Sequence, residues 1–325
     1  MTKKTRVVSF LFIFTVFCTF PAMAWDDVGH KITAYIAWQR MSSTARDNAI
    51  QILRAAPEDA QLSTFYFQYG AQSEDARRRT FFMTASTWPD IVRDRAFVNR
   101  VKKYHKGNWH YDDYFWKQSP EGKVELLNGM PEGGHGIEKL ADFEKILRNP
   151  ESPNTEKALA IAWMLHIGGD IHQPLHTSGR VTELELKGDQ GGNLFLLTPQ
   201  GTTRENQVNL HWFWDSIVGR NVPNKDDACD GEYVDPIAEK ILKGQPFSKF
   251  QDSLSLADFE VWKKESFSLN ATDVYSPDLV RNQMPSKKYR KNAYKVAQRQ
   301  LAVAGYRLGE KMNQLLGTAI GATVK

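Results

Sequence analysis

Apolar residues recur every three or four positions through most of this chain, which is the spacing of one helix face. The clearest stripes contain Ile32, Tyr35 and Ile36, and then Ile137, Leu140, Phe143 and Leu147. Ser43 is the expected N-cap of the helix that follows it. Further helices are predicted over residues 154–167, 236–242 and 286–316. The pattern therefore predicts a mostly α-helical protein.

One segment, residues 183–199, departs from the helical pattern. Leucines at positions 184, 186, 194 and 196 alternate on either side of the sequence Gly-Asp-Gln-Gly-Gly. Alternation with a period of two around a glycine-rich turn predicts a short β-hairpin. The sequence contains no repeat, linker or low-complexity tract. We therefore expect a single compact multi-helix domain that includes this hairpin.

The first 24 residues have the composition of a secretory signal peptide. Three cations precede an apolar run over residues 7–20, and Ala22-Met23-Ala24 is a small-x-small cleavage site. This run is shorter than the ~20 residues that span a membrane. Cleavage would leave a secreted or periplasmic domain, residues 25–325, that begins at Trp25. It would also remove Cys18, so the mature chain, with Cys229 alone, could form no internal disulfide.

The signal peptide also accounts for the basic excess of the chain. Without its three cations, the 42 Lys and Arg residues become 39, against 38 Asp and Glu residues. A near-neutral mature chain argues against polyanion binding by bulk charge. One local basic cluster remains, and a solvated helix face is favoured for it over a nucleic-acid contact. This cluster comprises Lys287, Lys288, Arg290, Lys291, Lys295 and Arg299.

Three of the eight histidines fall within eleven residues, between His166 and His176. His166 and Asp170 are four residues apart, so they share one face of the predicted helix. Pro174 favours the end of that helix, which places His176 on a following loop that can fold back towards the same cavity. The segment could therefore serve two adjacent metal ions.

Other candidate ligands follow a similar pattern. His211 and Asp215 form a second pair at i, i+4. Asp90 follows a proline and precedes Arg93 by three residues, and His110 lies among aromatic residues. The remaining candidates lie at the mature N-terminus, where the free α-amine and carbonyl of Trp25 could chelate a metal within reach of His30. Nitrogen and carboxylate ligands of this kind suit zinc.

These residues form ordered motifs, and with them the chain resembles the secreted zinc-dependent type I single-strand nucleases, the mung bean nuclease family. The motifs are Trp-x-x-x-Gly-His, Trp-x-Asp-x-x-Arg, Trp-His, His-x-x-x-Asp-x-His-Gln-Pro-x-His, Gly-Gly-Asn and Asn-Leu-His-x-x-x-Asp. The resemblance covers Trp25 to Asp215 and is looser beyond. It implies a mostly helical fold that is shared with bacterial phospholipases C.

The resemblance also implies three zinc ions and a set of ligands for each. The implied sets are Asp90, His110, His166 and Asp170; Trp25, His30 and the bridging Asp170; and His176, His211 and Asp215. A water molecule activated by zinc would hydrolyse single-stranded DNA, RNA and 3′-nucleotides, with 5′-phosphorylated nucleotides as the products from nucleic acid. The expected protein is a monomer, because no stable protein partner is implied.

The resemblance assigns further roles around these ions. Asp90 would orient the attacking water, and Arg93 would neutralise charge on the phosphate. Tyr111 would stack on a nucleobase, while Asp113 and Asn193 would form hydrogen bonds with its edge.

The other histidines are expected to play no ligand role. His172 lies off the face of His166 and Asp170 and is expected to orient a neighbour. His105 is expected to face solvent, and His135 to occupy a turn. Two alternative functions remain open at this point. One is a zinc-dependent phospholipase C, and the other is an exported zinc-binding protein without catalytic activity.

Overall fold

The computed structural model describes residues 25–67, 72–119 and 121–318, so the predicted signal peptide lies outside the described residues. Helices make up most of the described chain, as predicted. They are α1 (Asp27–Arg40), α2 (Ser43–Arg54), α3 (Glu74–Ala85), α4 (Trp88–Ile91), α5 (Val98–Tyr104), α6 (Gly136–Arg148), α7 (Asn154–Asp170), α8 (Leu210–Asp215), α9 (Ile217–Asn221), α10 (Asp230–Gly244), α11 (Phe259–Ser268) and α12 (Lys287–Leu316). None of the described helices is long and apolar enough to span a membrane.

Helix α7 lies at the centre of the fold. Every residue from Ala160 to Asp170 is buried. A helix that is apolar on all sides is stable only when other elements surround it. Helices α1, α2, α6 and α12 pack around it. The helix therefore carries His166 and Asp170 into the interior of the protein.

Small residues allow three helices to approach one another closely. A Cβ atom at Gly168 of α7 would lie 2.6 Å from Leu308 Cδ2 of α12. A Cβ atom at Gly305 of α12 would lie 2.5 Å from the Cβ atom of Ile36 in α1. These contacts bring α1 and the end of α7 to the same side of α12.

A small sheet holds two segments of the candidate site together. Its strands are β1 (Tyr114–Gln118), β2 (Val124–Leu126) and β3 (Ser178–Arg180). Strand β1 pairs antiparallel with β2 and parallel with β3, in the order β2-β1-β3. Because β1 follows His110 and β3 follows His176, their pairing fixes the distance between the two segments.

The predicted hairpin over residues 183–199 is wrong. Within the described residues, this segment forms turns and a single isolated bridge, between Leu196 and Asn209. Four of its residues have positive φ angles, namely Gly188, Gln190, Gly191 and Gly192. Such angles coil the backbone and break strand pairing. Leu184 and Leu186 are 78% and 74% exposed, so the alternation of leucines does not mark a buried face.

The predicted N-cap at Ser43 is also wrong, by one residue. Ser42 is the N-cap, because its side chain accepts a hydrogen bond from the backbone N–H of Ala45. The helices predicted over residues 154–167, 236–242 and 286–316 are confirmed, within α7, α10 and α12 respectively. All six cations of the basic cluster on α12 are exposed, as expected for a solvated helix face.

Candidate metal centre and adjoining cavity

The described residues bring the predicted ligands together in three groups. In each group the side-chain nitrogen and oxygen atoms lie within 4.8 Å of one another. The groups are His30, His166 and Asp170; Asp90, His110 and His166; and His176, His211 and Asp215. The first two groups have His166 in common, so they form one continuous centre.

Asp170 occupies the middle of this centre. Its Oδ1 atom lies 3.2 Å from His30 Nε2. Its Oδ2 atom lies 3.3 Å from His110 Nδ1 and 3.4 Å from His166 Nε2. Two ligand atoms that are each ~2 Å from one tetrahedral zinc lie ~3.3 Å apart. One carboxylate therefore faces two ligand sets with different oxygens, which is the geometry of a bridging ligand.

Asp90 and Arg93 lie at the open edge of the same centre. Proline at the second position of α4 starts a single helical turn that points both side chains towards His110. Asp90 Oδ1 lies 3.7 Å from His166 Nε2 and 3.9 Å from His110 Nδ1. Arg93 Nη2 forms an ion pair with Asp90 Oδ1 at 2.8 Å and lies 3.1 Å from His110 Nδ1.

The third group combines α8 with the turn that follows α7. His211 Nε2 lies 3.3 Å from Asp215 Oδ2, as the i, i+4 spacing predicts. A 3₁₀ turn over Pro174–Thr177 brings His176 Nε2 to 3.6 Å from Asp215 Oδ1. Gln173 Nε2 donates to that same oxygen at 2.7 Å. Gln173 therefore orients this carboxylate, a role that the spacing of the sequence does not indicate.

The rings of three histidines are oriented by backbone carbonyl groups. His166 Nδ1 donates to Ser86 O, His176 Nδ1 to His110 O and His211 Nδ1 to Gly191 O, each at 2.7 Å. A carbonyl oxygen only accepts, so the ring proton is on Nδ1. The lone pair of Nε2 then points at the neighbouring carboxylate, which is the usual arrangement of histidine metal ligands.

The electrostatics of the centre favour a cation. Both oxygens of Asp170 are buried and lack a hydrogen-bond partner. Burial raises the pKa of Asp170 well above its usual value and raises that of Asp215 to about 7. Burial also lowers the pKa of His176 to about 4, and it lowers those of His30, His110 and His166 well below the usual value. Buried carboxylates beside neutral imidazoles need a positive charge, and their donor atoms suit zinc.

Trp25 is fully buried, close to the backbone that carries Asp170 and Asp215. Its indole Nε1 donates to Gly169 O at 3.0 Å, and the N–H of the next residue donates to Asp215 O at 3.2 Å. A Cβ atom at Gly29 would lie 2.8 Å from Trp25 Cβ, which explains the glycine of the Trp-x-x-x-Gly-His motif. The role of the Trp25 amine as a ligand stays a prediction.

A cavity of about 510 Å³ opens beside the third group. It is lined by His176 and His211 together with Arg93 and all three predicted base-binding residues, Tyr111, Asp113 and Asn193. Asp113 Oδ1 is buried without a hydrogen-bond partner. Burial, and then the neighbouring Asp189 and Asp112, raise the pKa of Asp113 well above its usual value. A largely protonated carboxyl group could donate as well as accept a hydrogen bond.

His105 and His172 are two further histidines near the candidate centre, and neither belongs to the three groups. His105 also lines this cavity and is half-buried, so the prediction that it faces solvent is wrong. The segment that contains it is anchored at both ends, because Tyr104 and His110 are buried and the partly buried Trp109 packs against the core. His172 belongs to none of the three groups. Its Nδ1 donates to Gly168 O at 2.6 Å, and its Nε2 accepts from Arg307 at 2.9 Å.

A reciprocal pair of hydrogen bonds joins the shared centre to the third group. His176 Nδ1 donates to His110 O, and the N–H of Asp112 donates to His176 O at 2.9 Å. Lys263 of α11 holds the Asp112 side chain, with 2.6 Å between Nζ and Oδ1. No sequence pattern indicated this link, because Lys263 is 151 residues from its partner.

Comparison with known proteins agrees with this geometry. The S1/P1 Nuclease family model matches residues 25–317. Nuclease S1 of Aspergillus oryzae is 25% identical over 301 residues, which cover 87% of this chain and 89% of that protein. Endonuclease 5 of Arabidopsis thaliana is 27% identical over 169 residues, which cover 48% of this chain and 50% of that protein. The chain therefore belongs to the S1/P1 nuclease family.

Proposed function

We propose that this nuclease is zinc-dependent and hydrolyses single-stranded DNA and RNA, together with the phosphate ester of 3′-nucleotides. The observation that supports this proposal is the position of Asp170, whose two oxygens face separate ligand sets next to a cavity of nucleotide size. We also propose that the enzyme is exported after removal of residues 1–24.

Three zinc ions would be held, one by each implied ligand set. The sets are Asp90, His110, His166 and Asp170; the Trp25 α-amine, His30 and Asp170; and His176, His211 and Asp215. Bound zinc supplies positive charge and lowers the pKa of water at the site towards ~7. Asp170 keeps two ligand sets together. Asp90 accepts a proton from water and directs its oxygen at phosphorus, while Arg93 holds the phosphate.

The cavity accounts for a preference for single strands. Tyr111 provides a face for stacking, and Asp113 and Asn193 provide polar atoms for the edge of the base. A base must leave its stack to enter such a cavity, which costs a few kcal/mol in a duplex and much less in a single strand. Duplex DNA should therefore be a poor substrate.

Substitution Asp170→Asn tests the proposal directly. The variant loses the charge that both ligand sets share, so we expect it to lose zinc and to release no acid-soluble nucleotides from single-stranded DNA. Asp252→Asn, at an exposed position in the 3₁₀ turn over Gln251–Ser253, is the matched control and should behave as wild type. Full zinc content with normal turnover in Asp170→Asn would refute the scheme. Choline phosphate release from lecithin without nucleotide release would instead indicate a phospholipase C.

The amine ligand has a test of its own. A mature chain that begins at Trp25 is compared with one that carries a single extra residue before it. We expect the extension to lower both the bound zinc and the nuclease rate, because it converts the amine into an amide without a lone pair for the metal. Equal zinc content and equal rates in both chains would rule out this ligand.

A further inference from the structure

A second concavity adjoins the mouth of the cavity. Arg95 lines the main cavity, and the five residues after it, numbers 96–100, line a surface depression of about 450 Å³. Asp59 and Gln61 form its other side. One short stretch of backbone, residues 95–100, therefore lines both spaces in succession.

The depression contains apolar side chains that are exposed and do not pack in the core. Phe97 and Val98 are 46% and 56% exposed. The guanidinium carbon of Arg100 lies 4.2 Å from the centre of the Phe97 ring, and Arg100 Nη1 donates to Gln61 at 2.7 Å. These contacts hold the ring in place while almost half of the side chain faces solvent. An immobilised and exposed aromatic ring is suited to stacking with a planar ligand.

The positive charge between the cavity and the depression suits a phosphate group. Arg95 is exposed and forms no ion pair with a described residue. Arg93, two residues earlier, lines the same cavity, so two guanidinium groups mark the route from the metal centre towards the depression. A phosphodiester chain carries one negative charge per nucleotide. A cation followed by an exposed ring therefore matches the phosphate and base of one nucleotide.

We propose that residues 95–100 form a second nucleotide subsite, in which Arg95 binds the phosphate next to the scissile one and a base stacks on Phe97. This inference rests on the proposed nuclease function. It makes the enzyme favour an oligonucleotide over a 3′-mononucleotide, because only the longer substrate reaches this subsite.

The test compares Arg95→Ala and Phe97→Ala with the double variant Lys287→Ala/Lys291→Ala. The latter removes two exposed cations from the basic face of α12, the rival surface for nucleic acid. For each holoenzyme, kcat/KM is measured on a 3′-mononucleotide and on a single-stranded oligonucleotide. The affinity for a nuclease-resistant phosphorothioate oligonucleotide is measured by fluorescence anisotropy at several salt concentrations.

We expect Phe97→Ala to weaken oligonucleotide binding about tenfold, since one stacked base contributes roughly 1–3 kcal/mol. Arg95→Ala should weaken binding to a similar extent and reduce the slope of log K against log salt by about 0.7, the value for one phosphate contact to a single strand. Phe97→Trp should bind as wild type. The Phe97 variants, whose side chain lines only the second depression, should keep mononucleotide kcat/KM within about twofold, and the α12 control should match wild type in every assay.

Unchanged oligonucleotide binding in both single variants, or an equal loss in the α12 control, would overturn the subsite. A parallel loss of mononucleotide turnover in Phe97→Ala would overturn it as well, because the effect would then lie in the catalytic centre. Failure of the proposed function gives a different result. Wild type would then hydrolyse neither substrate, while the anisotropy measurement would still report whether Arg95 and Phe97 bind the strand.

Discussion

Asp189 has a buried carboxyl group that holds part of the cavity wall in place. It precedes Gly191, whose carbonyl orients His211, and Asn193, which faces the cavity. Asp189 accepts hydrogen bonds from the Tyr275 hydroxyl at 2.5 Å and from the N–H of Arg180 at 3.1 Å. Burial raises its pKa to about 6, although these hydrogen bonds act in the opposite direction. The loop is therefore held by a carboxyl group whose ionisation is unfavourable in the folded protein.

This cost predicts a dependence of stability on pH. The pKa of Asp189 is higher in the folded protein than the ~3.9 of an unfolded chain, so its stabilising contribution is complete below about pH 4. That contribution is lost as the pH rises through about 6. Asp189→Asn preserves the shape but cannot ionise. We expect the free energy of unfolding of the variant, relative to wild type, to rise by on the order of 2–3 kcal/mol from about pH 4 to about pH 7.

Urea unfolding of both proteins across this pH range measures the difference. Taking the difference cancels the titration of the groups that the two proteins share. A difference that stays constant with pH would contradict the assignment of the raised pKa to Asp189.

Helix packing around α7 depends on glycine residues, whose lack of a side chain lets neighbouring helices approach closely. Gly305 of α12 lies against Ile36 of α1, and Gly309 lies against Arg40, where an added Cβ atom would come within 2.6 Å of Arg40 Cβ. Helix α1 carries His30 and α7 carries Asp170, so the separation of these helices sets the distance between two ligands. Packing at the back of the core therefore determines geometry at the metal centre.

Gly305→Ala tests this dependence. Alanine favours a helix over glycine by about 1 kcal/mol, but the new methyl group would overlap Ile36 and should cost about 1–3 kcal/mol. We expect a net loss of stability in thermal unfolding and weaker zinc retention during dialysis. The control is Gly231→Ala in α10, where an added Cβ meets no atom within 4 Å. This control should be neutral or slightly stabilising, and an equal effect in the two variants would contradict the packing argument.

Within the part of the chain that the structure describes, no disulfide holds the candidate metal-binding segments together. Cys229 is exposed and is the only cysteine among the described residues. The ligands come from α1, α4, α7, α8 and the segments around His110 and His176. A metal ion bound by several of these elements would connect parts of the chain that are far apart in sequence, as a disulfide does in many exported proteins.

Removal of zinc should therefore destabilise the fold as well as stop catalysis. An ion present at a thousand times its dissociation constant contributes about 4 kcal/mol to the stability of the folded state. We expect a chelator to lower the midpoint of thermal unfolding of wild type by several degrees, and added zinc to restore it. Asp170→Asn, which should lack two of the sites, should respond much less. Equal responses in the two proteins would show that zinc does not stabilise the fold through Asp170.

The sequence predicted those features that depend on local spacing. The stripes along α1 and α6, and the i, i+4 pairs of His166 with Asp170 and of His211 with Asp215, follow from helix geometry alone. Grouping these pairs with Asp90 and His110 required the resemblance to a known family. Spacing within one segment says nothing about which segments meet.

Other features could not be predicted because they arise from tertiary contacts. Gln173 contacts Asp215 across 42 residues, and Lys263 contacts Asp112 across 151 residues. The leucines of residues 183–199 alternate like a strand, yet positive φ angles at neighbouring glycines turn the backbone away from any pairing. His105 stands in a lysine-rich stretch, yet it lines the cavity between the buried Tyr104 and the buried His110.

The reciprocal hydrogen bonds between the segments of His110 and His176 also have a thermodynamic consequence. Tyr111 lines the cavity and lies between His110 and Asp112, so a metal ion bound by His110 and a nucleotide stacked on Tyr111 would order the same peptide. Two ligands that order one segment are coupled, and the factor by which either tightens the other is the same in both directions. Substrate in the cavity should slow the removal of metal by a chelator, and low metal occupancy should weaken substrate binding. Activity would then fall more steeply than metal occupancy as the available zinc declines.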